Sequence, residues 1–155
     1  MKHVNFQRVG ILLLISLALG VLLSATDARW FDLDFLKIFW TSSAFLYATI
    51  FAIQAGLSPG RIPNNDYYVD IVRNILCVRE TSSAIFAVSV FFLLCGQILS
   101  TSVVGLFGGL LADATVNVGV VFCALAGAYY ILNARVLHNL SIDIEKVRRS
   151  IEKDF

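Results

Sequence analysis

The chain has 155 residues, 58% of them hydrophobic, with a mean hydropathy of +0.79 and a formal net charge of +1. Soluble domains spread about a quarter charged residues over their surface, whereas here the charged share is 15% and long runs carry no charge at all. That excludes an ordinary soluble domain, and the near-neutral balance offers no bulk-charge surface for direct nucleic-acid binding.

Four runs, 9–25, 35–57, 82–101 and 116–137, are apolar on every side. A soluble helix alternates faces. A helix in lipid must instead satisfy its backbone internally and present apolar side chains all round, and each run has the length to cross the hydrocarbon. The first follows Lys2 and Arg8. It reads as a transmembrane helix rather than a cleaved signal, because Thr26-Asp27-Ala28 makes a poor cleavage site.

A short acidic link with Asp27, Asp32 and Asp34 around Trp30 and Phe31 suits an outer membrane–water interface. The second run ends at Ser58-Pro59-Gly60, where proline and glycine break it. Lys37 near its outer end can snorkel to the headgroups. The main loop, 58–81, contains an amphipathic helical stretch opened by an N-cap-like Asp66, with Asp70, Arg73 and Asn74 as its polar stripe. That stretch is expected to continue into the third run as one bent or continuous helix.

Residues 102–115 form a link as hydrophobic as a helix but rich in glycine (Gly105, Gly108, Gly109), with Asp113 as its one acid. A flexible apolar hairpin at the outer leaflet is expected. The alternative is a short re-entrant element lining a pore, which requires cover from protein or water. After the fourth run, residues 138–155 form a polar cytoplasmic helix. Leu137, Leu140, Ile144, Val147 and Ile151 recur at spacings of three and four, flanked by Arg148 and Arg149 among other charges. This is a coiled-coil seam of about two heptads, marginal alone, so it calls for an assembly or partner contact involving these residues together with Asp70 and Arg73. Lying flat on the inner leaflet is the alternative.

Folded at the four runs, the chain places ten of its twelve Lys and Arg residues on one side, with only Arg29 and Lys37 opposite. That is the positive-inside pattern. The expected class is therefore an all-α integral membrane protein. A four-helix transmembrane domain (1–137) has both termini cytoplasmic and bears a C-terminal amphipathic or coiled-coil helix, as in a bacterial inner membrane.

Small residues permit close helix approach in lipid. Ser16, Gly20 and Ser24 recur every fourth position in the first helix, Ala44, Ala48, Ala52 and Gly56 in the second, and Gly119, Cys123 and Gly127 in the fourth. The stripes call for a tight bundle or contacts between subunits of a homo-oligomer. Of the polar residues within the spans (Thr41, Ser42, Ser43, Tyr47, Thr49, Gln54, Ser89, Gln97 and Asn133), Gln97 most needs a partner. That is either an interhelical hydrogen bond or a ring of amides around a pore.

No span carries an acid, Lys or His away from its ends, which disfavours proton-coupled export. His3 and His138 lack a second ligand nearby, and Cys77, Cys95 and Cys123 form no close-spaced pair. No catalytic, cofactor or metal site is expected, and not an enzyme. The leading expectation is an oligomeric membrane scaffold or sensor that docks a soluble cytoplasmic protein and contacts membrane lipid. A pore-forming or holin-like subunit is the alternative, and a small dimeric exporter or flippase the third. The layout of four spans, inward termini and the seam Leu137 to Ile151 resembles the membrane subunit of the Kiwa anti-phage defence system, over the whole chain but without a diagnostic motif. That resemblance implies a soluble DNA-associated partner in bacterial antiviral defence.

Overall fold

The computed structural model describes residues 5–26, 31–57, 65–101 and 105–153, excluding the side chains at 65–67, 105–108, 147, 148 and 150–153. The Pro59-Gly60 break, the Asp27–Trp30 link and the side chain of Asp66 lie outside that description.

Among the described residues four helices follow in order: α1 (Phe6–Ser24), α2 (Leu33–Gly56), α3 (Asn65–Thr101) and α4 (Gly105–Lys153). All four are long and apolar enough to cross a membrane, as in a multi-pass membrane protein. Two of the starts are capped. Asn5 accepts the Arg8 N–H at 3.2 Å through its side chain, and Asp32 accepts that of Phe35 at 2.9 Å, each satisfying a donor the helix leaves open.

Where water is absent the backbone must bond within its own segment, and this explains where the structure departs from the glycine-hairpin expectation. Residues 105–115 are helical, the first three turns of α4, and are not a flexible link. Each glycine costs about 1 kcal/mol of helix propensity relative to alanine, but an unbonded peptide in lipid costs several. The balance favours helix. The expected C-terminal helix is likewise not a separate piece. α4 runs unbroken for 49 residues, roughly 73 Å at 1.5 Å per residue, more than twice the hydrocarbon thickness.

α4 is the central element. It packs against α1, α2 and α3 in turn, whereas α1 and α2 make no close approach among the described residues. Half of its membrane window is buried, against 17% for each other helix. Positions 116–120, Val-Asn-Val-Gly-Val, are buried without a break, so α4 is enclosed on all sides there. Leu36, Val116, Val120 and Cys123 form one apolar cluster. Ile50, Ile85, Phe122, Tyr130 and Leu137 belong to a second, further along α4. Outward faces are lipid-like, with Leu14, Phe45, Phe91 and Leu132 all well exposed, an apolar surface that no soluble monomer would present.

Candidate functional site

Among the described residues, three contacts show how the helices are held and what the small-residue stripes do. Along α1, Ser16 and Gly20 are buried and Ser24 is half-buried. A Cβ at Gly20 would stand 2.5 Å from Val118 Cγ2 and 2.6 Å from Val118 Cα, so the backbones of α1 and α4 touch there. Ser16 and Ser24 return their hydroxyls to the Leu12 and Gly20 carbonyls at 2.7 and 2.9 Å, which removes donors the lipid could not satisfy. Ser24 Oγ also accepts a 2.9 Å hydrogen bond from the Asn117 amide of α4.

Asn117 is a residue sequence reasoning missed. It lies one position inside the fourth apolar run, and an amide between two valines was the available signal. Its Oδ1 has no partner, so the amide depends on Ser24 alone. Ser24→Ala should cost about 0.6–1.7 kcal/mol, the range of hydrogen bonds between membrane helices. A denaturation midpoint in detergent that does not move would contradict this.

On the other side of α4, Gly119 and Gly127 are buried and face α2. Leu36 sits in a socket made by glycines of two helices, with its δ-methyls 2.9 Å from the Cβ positions of both Gly96 (α3) and Gly119. Leu46 lies 3.4 Å from that of Gly127. The α2 stripe behaves differently. Ala48, Ala52 and Gly56 are exposed and Ala44 is half-buried, while α2 buries Leu36, Ser43, Ile50 and Gln54. Ala44, Ala48, Ala52 and Gly56 thus lie on the opposite face from this chain's own packing.

The third contact is a polar hub in one turn of α3. Thr81 Oγ1 accepts the backbone N–H of Asn5, just ahead of α1, at 3.0 Å. The Ser82 carbonyl accepts from Tyr130 of α4 at 3.3 Å, and Ser83 Oγ bonds the Tyr47 hydroxyl of α2 at 3.0 Å. Three successive residues therefore fasten α3 to each of the other segments. Tyr47 also stacks on Phe86, with ring centroids 4.5 Å apart and planes 5° from parallel. Serine and threonine at the head of an apolar run were visible in the sequence, but their partners, 36 to 76 residues away, were not.

Other intramembrane polar groups act locally. Thr41, Ser42, Thr49, Ser89 and Asn133 each donate to a carbonyl of their own helix. Gln97 is half-buried, and its backbone carbonyl accepts the hydroxyls of Ser100 and Thr101. Gln54 is nearly buried with neither amide atom partnered.

At the charged end of α4, Leu137 is fully buried in the core cluster with Ile75 and Val78 of α3 packed against it. Leu140 and Ile144 are half-buried, and the side chains of Val147, Arg148 and Ile151 lie outside the described residues. Exposed ion pairs flank the seam: Lys146–Asp143 at 3.4 Å and Arg149–Glu145 at 3.1 Å, with Arg73–Asp70 at 3.9 Å on α3. Such exposed pairs add about 0–1 kcal/mol each, so they give the surface its character rather than its stability. Among the described residues no group of three His, Cys, Asp or Glu could hold a metal. Comparison with known protein families, curated proteins and solved structures finds no match for this chain.

Proposed function

We propose that the protein is an oligomeric scaffold or sensor of the bacterial inner membrane, with both termini in the cytoplasm, which docks a soluble effector through the projecting end of α4. The observation that carries this reading is the continuity of α4. One helix runs from the buried centre of the bundle, past Leu137, into a charged stretch with a half-buried apolar seam at Leu140 and Ile144. A rod of that kind can pass a displacement in the membrane to a bound protein without a hinge. The inward orientation rests on the sorting of the basic residues. The partner-facing charges on this reading are Asp70, Arg73 and Arg149, all exposed, together with Arg148. Homo-oligomerisation has a candidate surface in Ala48, Ala52 and Gly56, which this chain leaves exposed, with the half-buried Ala44 in line with them; it would allow close approach of a second α2. A place in anti-phage defence is part of the proposal and rests on the layout alone.

Removing residues 140–155 should leave the protein in the membrane fraction while a soluble protein that co-purifies with the full chain in mild detergent is lost. Leu140→Asp with Ile144→Asp should do the same without shortening the chain. Unchanged recovery of that protein after both changes would sink the reading.

A further inference from the structure

Between the first two turns of α1 and the facing stretch of α4 lies a groove of about 380 Å³, within the size range of ligand pockets. Its walls are Ile11 and Leu12 on one side and Leu132 and Val136 on the other, with Arg8 and Tyr129 also lining it. Two observations set it apart from an ordinary lipid-facing crevice. Arg8 is exposed in the first turn of α1 and meets no carboxylate among the described residues. The hydroxyl of Tyr129, buried in the wall, lies beside Arg8 and Asn133, so it holds the guanidinium at the groove. An apolar trough beside a cation that no carboxylate neutralises suits a lipid acyl chain joined to a phosphate. Basic pockets between membrane helices on the cytoplasmic side take anionic headgroups in this way.

We propose that this groove holds one anionic phospholipid, its phosphate against Arg8 and an acyl chain along Ile11, Leu12, Leu132 and Val136. Assigning that lipid to the inner leaflet rests on the orientation proposed above, but the site itself does not. The guanidinium supplies charge preference and the trough supplies the fit to a chain. A zwitterionic lipid would fill the trough while gaining less from Arg8.

The test uses the full chain in detergent, incubated with equal amounts of phosphatidylglycerol and phosphatidylcholine, with retained lipid counted by native mass spectrometry. Phosphatidylglycerol should be retained in preference. Arg8→Gln should lower its retention about fivefold, the effect of one Arg near an anionic surface, and remove the preference. Leu132→Trp should fill the trough and reduce retention of both lipids. Equal retention of the two lipids by the unaltered chain overturns the proposal even if a variant fails to fold. Unchanged retention in Arg8→Gln also overturns it. Spontaneous cross-linking of Val136→Cys between two copies would assign the groove to a second copy instead. None of these outcomes depends on whether a soluble effector docks on α4, so the two readings fail separately.

Discussion

Gly20→Ala should destabilise the bundle by about 2–3 kcal/mol, and Gly20→Leu should detach α1 from α4 altogether. Overpacking commonly costs 1–3 kcal/mol, and more where neighbours cannot yield. At Gly20 the nearest atoms include Val118 Cα and N, at 2.6 and 2.8 Å from the added carbon. Backbone does not change rotamer, so the helices themselves must part. Separation also breaks the Asn117–Ser24 hydrogen bond one turn away, leaving a buried amide with no partner at all. The control is Gly10 on the same helix, where nothing lies within 4 Å of an added Cβ. Gly10→Ala should be neutral or stabilising by up to about 1 kcal/mol through helix propensity. Unfolding of both variants by detergent titration would decide. Equal midpoints would mean that α1 is not held through this contact.

The second large effect is at the socket of Leu36. Leu36→Ala should cost about 2–3 kcal/mol. That is the lower part of the range for such truncations, because in lipid the separated helices do not expose the side chain to water and only packing is lost. Gly119→Ala should cost about 1–2 kcal/mol by pressing on the Leu36 δ-methyl 2.9 Å away and on Phe92 Cβ at 3.2 Å. Together the two changes should cost less than their sum, by about 1 kcal/mol, since the new methyl occupies space the leucine has vacated. A double-mutant cycle on the midpoints reads this coupling. Strict additivity would show that Leu36 and Gly119 are not in contact.

The four spans were legible because lipid imposes a simple demand. Where no water reaches the backbone, a helix is apolar all round, and Val9–Ala25 or Phe35–Leu57 can hardly be read otherwise. The faces were harder. The spacing of Ala44, Ala48, Ala52 and Gly56 is as regular as that of Ser16, Gly20 and Ser24, yet only the α1 stripe packs within the chain. Periodicity identifies a close-packing surface but not the rotation of the helix that carries it. The glycines at 105, 108 and 109 pointed to a hairpin because local propensity was weighed without the cost of unbonded peptides. The hub at Thr81–Ser83 and the Asn117 amide escaped because their meaning lies in partners distant along the chain.

The central place of α4 also bears on how the protein is made. Segments emerge from the ribosome in order, N-terminal first, at about 5–20 residues per second, and membrane helices can insert independently before they associate. The helix around which the other three gather is the last of the four to be synthesised. α1 and α2, which do not approach each other, must therefore wait in the bilayer without their main partner. Their apolar surfaces suit that interval, and so do the hydroxyls of Ser16, Ser24, Thr41, Ser42 and Thr49, each bonded within its own helix. Among the described residues, the side-chain amide that bridges α1 and α4 belongs to Asn117, and it enters the membrane only when its acceptor is already in place.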